Sequence, residues 1–279
     1  MTDLNLTAER RSELLTLLED GVRLQSEYPK VAEYLDTAPQ LSGTGNDEAD
    51  AAFDLRLIHY MIGGSLMGPN PYWDIVAPSI SHDDGSRVID GGSPAGSPRL
   101  AFAQTILQET YAYAVPSPET VRWVSQVCDG RPVIELGAGR GYWAAQLADA
   151  GLTVSAYDIE PPDSSENASF KAVGVQPQVW HPVHSLDQFT MDTPAVPENV
   201  LLLCWPPGWG DAMASDALAA FEAVGGSRLI YIGEPKGGKT ANDEFFAALS
   251  ARWKLESTDS RYVSWWNLDD RVQRWTRVS

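Results

Sequence analysis

From residue 117 onward, short apolar runs alternate with stretches whose apolar residues recur at helical spacing. Val133–Leu136, Thr153–Asp158, Val179–His184, Val200–Cys204 and Arg228–Ile232 predict strands, and so do Trp253–Ser257 and Val272–Arg277. Tyr142–Ala150, Asp211–Val224 and Ala241–Ala251 predict helices. Pro118–Val127 predicts another, capped by Ser117 with Pro118 in its first turn. Such alternation implies an α/β domain over residues 117–279: about seven strands, mostly parallel, with helices on both faces. Asn199–Cys204 is apolar without alternation, as expected of a central strand covered on both sides.

Residues 1–116 follow a different pattern and predict a mainly helical N-terminal cap. Leu14, Leu15, Leu17, Leu18, Val22 and Leu24 recur at helical spacing within 3–37, which Pro29 divides into two helices. Leu41–Asp50 is small, polar and glycine-rich and reads as a loop. Phe53–Leu66 and Leu100–Tyr113 read as helices. Between them, residues 68–99 are rich in Gly, Pro, Ser and Asp and read as one long irregular segment. Trp253 and Trp265-Trp266 read either as an interface or, more plainly, as packing within the sheet.

Composition narrows the function. Hydrophobic residues make up 43% of the 279-residue chain, enough for a sizeable core. The net charge of −18 argues against nucleic acid, which binds through a basic surface, and against anionic membranes. No apolar stretch reaches the roughly 20 residues needed to span a bilayer. Cys128 and Cys204 lack metal-ligand spacing and read as free thiols of a reducing cytoplasm. His59, His82, His181 and His184 form no metal set, so no metal is expected. No sequence feature sets the oligomeric state.

The chemistry concentrates in Val133-Ile134-Glu135-Leu136-Gly137-Ala138-Gly139-Arg140-Gly141-Tyr142-Trp143, a strand running through a glycine-rich turn into a helix. Glycines allow a sharp turn and close approach to a ligand, and the helix N-terminus offers free N–H groups. A dinucleotide fingerprint is G-x-G-x-x-G. Here the third glycine comes one residue early and Tyr142 stands in its place. Glu135, two residues before the first glycine, opposes a pyrophosphate and suits an ammonium. The next strand ends at Asp158, where a carboxylate accepts ribose hydroxyls.

With these features, IELGAGRGYW followed by SAYDIEPP resembles the class I methyltransferase family that uses S-adenosyl-L-methionine. The resemblance covers about residues 117–279. YAYAVPS (111–117), GYW (141–143) and CWPPGW (204–209) are similar to an uncharacterised bacterial, phage and fungal group of methyltransferase-like proteins. The resemblance implies a Rossmann-like fold and a cytoplasmic enzyme. It implies that Glu135, Gly137, Ala138, Gly139 and Gly141 line the methionine end of the cofactor. Asp158 would hold its ribose, Ile159 would pack near its adenine, and Cys204 would adjoin it. Tyr113 either closes over the cofactor or packs under the N-terminal helices.

Amino-methylating members of that family carry [D/N/S]-P-P-[Y/F/W] after the fourth strand. Cys204-Trp205-Pro206-Pro207-Gly208-Trp209 keeps both prolines but has Trp205 in the polar position and Gly208 in the aromatic one. DNA N-methylation is therefore not inferred, and Trp205 remains a candidate for the acceptor wall. Glu234, after the fifth strand, is a candidate base or a solvated loop carboxylate. Gly233–Thr240 (GEPKGGKT) fits a phosphate-loop spacing, but it lies in a sheet whose first strand already carries the cofactor turn, and no Walker-B strand is evident. The resulting expectation is in-line methyl transfer to a small molecule or peptide, with the cap selecting the substrate. The rivals are a non-catalytic cofactor-binding or regulatory protein, a nicotinamide-dependent oxidoreductase and, last, a nucleotide hydrolase.

Overall fold

A computed structural model describes residues 4, 6–63, 68–83, 85–162, 179–192 and 198–278. The chain divides into two compact units at Tyr111/Ala112, with Trp265–Asn267 counted in the first.

In the first unit, α1 (Ala8–Glu19) starts at Thr7, whose Oγ1 accepts the Arg10 N–H at 3.2 Å. It stops at Asp20, which then caps α2 (Gly21–Glu27) by accepting the Arg23 N–H at 3.0 Å. Pro29 opens α3 (Pro29–Thr37) at its first turn. The two helices expected over 3–37 are therefore three, because one aspartate ends a helix and begins the next. Helix α4 (Asp47–Gly63) begins inside the segment expected to be a loop. Asp47, Glu48 and Asp50 fill its first turn, where negative charge meets the positive end of the helix dipole. Residues 64–66 of the helix expected over Phe53–Leu66 lie outside the described residues.

The segment expected to be irregular over 68–99 holds a short helix, two strands and the start of a longer helix. Asn70 caps α5 (Pro71–Val76), accepting the Trp73 N–H at 3.2 Å. Strands β1 (Ile80–Asp83) and β2 (Ser86–Ile89) pair antiparallel, with Ile80 opposite Ile89. Ser97 then caps α6 (Pro98–Thr110). Short strands that end in Gly/Pro/Ser clusters give too little periodicity to stand out from a loop. Trp265 and Trp266 also belong to this unit, not to the large sheet: Trp265 Nε1 donates to the Tyr72 hydroxyl at 3.1 Å, and the Trp266 N–H to the Ile89 carbonyl at 3.2 Å.

The second unit is an α/β layer structure. Its elements are α7 (Pro118–Cys128), β3 (Val133–Leu136), α8 (Tyr142–Asp149), β4 (Val154–Asp158), β5 (Val183–Ser185), α9 (Leu186–Asp192), β6 (Val200–Cys204), α10 (Met213–Ala223), β7 (Arg228–Gly233), α11 (Asp243–Arg252), β8 (Trp253–Thr258), β9 (Val263–Trp265, where the chain passes to the first unit) and β10 (Arg271–Arg277). Seven strands pair in the order β5-β4-β3-β6-β7-β10-β8. Strands β5, β4, β3, β6 and β7 run parallel, while β10 is antiparallel to both β7 and β8. The expected Rossmann-like sheet is therefore present. Helix α9 was not expected, and the strand expected from Val179 begins at Val183.

Alternation within each strand splits the core between the two faces. Leu201 and Leu203 of β6 pack with Ile134, Leu218, Phe221 and Phe245 on one face. Val200 and Leu202 pack with Val133, Val124, Trp143 and Leu147 on the other. β3 and β6 lie side by side at the sheet centre, and the chain order reverses between them. In open α/β sheets, the carboxyl ends of strands at such a reversal form the binding crevice.

Leu202 is fully buried at this centre. Leu202→Ala is expected to lower the unfolding free energy by about 2–5 kcal/mol in urea titrations. Leu255→Ala, on an edge strand where the side chain is exposed, is expected to stay within about 0.5 kcal/mol of the parent.

Candidate functional site

The carboxyl ends of β3, β4, β6 and β7 carry Glu135, Asp158, Cys204 and Glu234. The parallel pairing brings them to one edge of the sheet: Glu135 is level with Ala156 and Leu202, and Cys204 with Ile232.

Every residue of β3 is buried, including Glu135 at 2% exposure. It shares its face with Val133, and so meets the layer that contains Trp143 and Leu147 of α8. A backbone hydrogen bond at Ala144 engages the carboxyl, while Oε2 has no hydrogen-bond partner. Burial, with a smaller push from Asp158, raises its pKa from 4.5 to about 8. A buried acid with an orphaned oxygen is a candidate partner for a cationic or N–H-bearing ligand group.

Beyond β3 the chain turns on three left-handed glycines, Gly137, Gly139 and Gly141, with φ of 76°, 55° and 73°. The Gly137 and Ala138 N–H groups donate to the Tyr157 carbonyl at 2.9 and 3.1 Å, locking the turn onto β4. At Gly141 a Cβ would lie 2.9 Å from the His181 carbonyl oxygen, so the position requires glycine on both conformational and steric grounds. Tyr142, at the position where a dinucleotide fingerprint has its third glycine, is buried edge-on against Trp180 with ring centroids 5.0 Å apart.

Asp158 closes the turn from the next strand. Its Oδ2 accepts the Gly139 N–H at 2.8 Å and its Oδ1 the Glu160 N–H at 2.9 Å. Burial raises its pKa, opposed by these hydrogen bonds. The neighbouring Ile159 side chain is 80% exposed, an apolar surface beside the carboxylate.

On the other side of β3, β6 ends in a strained loop. Trp205 and Trp209 hold φ of 51° and 52°, rarely adopted by bulky residues. Trp205 is fixed from several directions. Its N–H donates to the Ile232 carbonyl at 2.7 Å, its Nε1 to Asp270 Oδ2 at 2.9 Å, and its ring stacks on Tyr113 at 5.5 Å and 14°. Trp209, in contrast, is 86% exposed. Gly208 explains the missing aromatic of the sequence pattern: a Cβ there would lie 2.3 Å from the Lys239 carbonyl oxygen. The loop is pinned to the β7–α11 connection by a Pro207–Thr240 bridge and by the Ala241 N–H donating to the Pro206 carbonyl at 3.1 Å.

Glu234 is buried rather than solvated. Its Oε2 accepts the Lys239 N–H at 2.6 Å and its Oε1 the Asp269 N–H at 3.2 Å. The carboxylate thus ties the Gly233–Thr240 loop to the segment before β10, and the glycines that suggested a phosphate loop serve this closure. Burial, reinforced by Glu135 and Asp270, raises the Cys204 thiol well above its ordinary range, and burial raises Cys128 to about 12. Neither thiol is an activated nucleophile.

Asp270 escaped the sequence reading. It is buried and accepts hydrogen bonds from Trp205 Nε1, the Tyr262 hydroxyl at 2.5 Å and the Ser264 hydroxyl. One donor, Trp205, lies 65 residues upstream, and no local pattern aims the nearby Tyr262 and Ser264 hydroxyls at this carboxylate. Met213 was missed as well, although its Cε lies 2.5 Å from where a Cβ on Gly137 would sit. Among the described residues no group of three His, Cys, Asp or Glu is placed to hold a metal ion, and no helix is long and apolar enough to cross a membrane.

No family model matches the chain. A ribosomal RNA large subunit methyltransferase M from Marinobacter nauticus is 30% identical over 124 residues, covering 41% of this chain. That segment spans 34% of the relative, so the chain matches about a third of its length. Similar solved structures include three methyltransferases. The magnesium protoporphyrin IX methyltransferase of Synechocystis, with bound SAM, is 16% identical over 57% of this chain and 79% of its own, with a TM-score of 0.33. The 1,6-didemethyltoxoflavin-N1-methyltransferase of Burkholderia thailandensis is 18% identical over 72% of this chain and 100% of its own, at 0.36. Human N-acetylserotonin methyltransferase, in complex with SAM, is 11% identical over 80% and 70%, at 0.37.

The raised pKa of Glu135 makes stability pH-dependent in a defined direction. The folded chain keeps this proton up to pH about 8 and the unfolded chain loses it near 4.5, so the contribution is full below 4.5 and lost as pH rises through 8. Relative to Glu135→Gln, the parent is expected to lose about 1.4 kcal/mol of stability per pH unit across that window and to level off above it. Urea titrations from pH 5 to 9 on both proteins measure the slope; parallel curves would remove the buried acid from the account.

Proposed function

We propose that the chain is an S-adenosyl-L-methionine-dependent methyltransferase acting on a small-molecule or peptide acceptor. The observation that carries this reading is the orphaned, buried Glu135 carboxyl beside a left-handed glycine turn whose closing carboxylate, Asp158, stands on the adjacent strand.

The residues present fit the cofactor. Glu135 offers an acceptor for an ammonium in a place where any counter-charge is strengthened by low dielectric. Gly137, Ala138, Gly139 and Gly141 allow close backbone approach. Asp158 at the end of β4 suits vicinal ribose hydroxyls, and exposed Ile159 beside it suits an adenine face. Cys204, half-buried at the end of β6, and Tyr113, held in its stack on Trp205, complete the wall. The cofactor, when bound, supplies an electrophilic methyl group on a sulfonium.

The chain's own contribution is then alignment. Holding nucleophile and methyl carbon in line recovers much of the rate without covalent chemistry by the protein. Trp205, fixed by Asp270 and Tyr113, gives the acceptor side an aromatic face of set orientation, and such faces attract cationic groups. Glu234 stands at the same sheet edge, held in place by its two backbone donors, as a positioning group or base for an acceptor proton. The net charge of −18 favours a neutral or cationic acceptor over RNA. The free thiols Cys128 and Cys204 fit a reducing cytoplasm. A nicotinamide cofactor fits less well, because buried Tyr142 replaces the third glycine and Glu135 would oppose a pyrophosphate.

Calorimetric titration with S-adenosylhomocysteine is expected to show micromolar or tighter binding. Asp158→Ala, with melting checked, is expected to weaken it at least about tenfold, or 1.4 kcal/mol. The cation-bearing ligand prefers ionised Glu135, so its binding should release a proton below pH 8, seen as a dependence of the heat on buffer ionisation enthalpy. A folded chain that binds NAD and not S-adenosylhomocysteine would overturn the reading. Labelled methyl incorporation into amines and peptides, with ribosomal RNA as the competing acceptor, separates the acceptor classes.

A further inference from the structure

The first unit holds a cavity of about 330 Å³ that the proposed cofactor site does not use. Its lining includes Phe53, Arg56, Ile80, Arg99 and Leu100, with three acids, Glu48, Asp50 and Asp54. Its most unusual wall residue is Arg56, in α4. The side chain is only 8% exposed, yet it has no ion-pair partner among the described residues. Its Nε donates to the Ile75 carbonyl at 3.1 Å and its Nη2 to the Ser79 hydroxyl at 3.1 Å, both neutral acceptors. The Phe53 ring lies 5.9 Å below the guanidinium carbon. Nη1 makes no hydrogen bond among the described residues.

Two further features of the wall matter. Arg99 is paired with Asp54, which also accepts the Tyr34 hydroxyl at 2.6 Å, but the buried Arg99 Nε has no hydrogen-bond partner. Asp50 is engaged by the Thr44 N–H and hydroxyl, both at 2.9 Å, so its charge is occupied in holding the loop before α4. Asp50 and Asp54 thus have their own donors, and the third acid of the wall, Glu48, sits in the first turn of α4, while two guanidinium groups retain donors without acceptors. A buried cation lacking a counter-charge is costly, and a guanidinium is the side chain best matched to a planar carboxylate or a phosphate.

We propose that this cavity binds a small organic molecule carrying an oxyanion, a carboxylate or phosphate monoester, with the anion taken by Arg56 and the organic body by Phe53, Ile80 and Leu100. At about 330 Å³ it lies at the small end of ligand sites, which suits a metabolite-sized molecule. The site lies wholly within the first unit and does not depend on the methyltransferase reading.

The test follows the Arg56 Nε–H signal by NMR in the full chain, assigned by its loss in Arg56→Met. The probes are inorganic phosphate, 3-phenylpropionate and the neutral isostere 3-phenylpropionamide. Both anions are expected to shift the signal saturably, and the carboxylate to bind about tenfold or more tightly than the amide. Arg56→Met should abolish that preference, as read by ligand-observed saturation transfer. Asp158→Ala should leave it unchanged, which separates this site from the cofactor site. Equal affinity for acid and amide, anion binding retained in Arg56→Met, or no response to either anion at tens of millimolar would each overturn the proposal. If Arg56→Met fails to fold, the acid-versus-amide comparison on the parent decides alone.

Discussion

The enclosure of β3 governs the second unit. A strand flanked by β4 and β6 and buried along its whole length leaves no water for a side chain, yet its third residue is an acid. Placing Glu135 there costs the free energy of keeping a carboxyl neutral or facing an uncompensated charge. The surrounding structure over-determines that position. The glycine turn binds back to β4 through two N–H groups on one carbonyl, and Asp158 grips the middle of the turn. Neither contact relieves the orphaned oxygen. The turn is thus held open by bonds that stabilise it while the acid beneath it stays unsatisfied, the arrangement expected where binding supplies the missing partner.

A second constraint acts across the sheet edge. The loop after β6 has backbone strain of about 1–3 kcal/mol at each left-handed tryptophan, and three contacts offset it at Trp205. One of them, from Asp270, links β10 to the end of β6, and Glu234 links the β7 loop to the same segment through the Asp269 N–H. The antiparallel return of β10 therefore does more than extend the sheet. It delivers two adjacent acidic residues, one through its backbone and one through its carboxylate, to brace the two loops that form this side of the edge.

Legibility in the sequence followed the range of the interactions. The strand–turn–helix around Glu135 and Gly137–Gly141 was readable because its constraints are local: positive φ, close approach and a helix start lie within nine residues. The parallel strands were readable from apolar runs, but not their order, nor the short β5 and α9. The first turn of α4 was misread because a polar residue in a first turn and one in a loop look alike until a helix is known to follow, and the break at Asp20 went unread because an aspartate among helical charges gives no sign that it is a cap. Asp270 was invisible for a deeper reason: its partner Trp205 lies 65 residues upstream and reaches it only through tertiary structure, and the nearby Tyr262 and Ser264 carry no pattern that aims them at it. The reading that packed Trp265-Trp266 within the sheet failed because their partners, Tyr72 and the Ile89 carbonyl, lie far upstream in the chain.

The departure from the amino-methylating pattern after β6 now has a physical cause. An aromatic at 208 is excluded by the Lys239 carbonyl, so the aromatic bulk moves to 205 and 209. Once a tryptophan occupies 205, its indole N–H needs a buried acceptor, and Asp270 provides one. The polar group of the pattern has therefore not vanished; it has moved from the loop to the segment before β10, where it orients an aromatic face. Under the proposed function, a site built this way would select by shape and by the ring's electrostatic face more than by a hydrogen bond to the nucleophile. Apolar and aromatic recognition discriminates between similar acceptors less sharply than a dedicated hydrogen bond does, so on that proposal a tolerant acceptor range would follow from exchanging the polar residue for a braced indole.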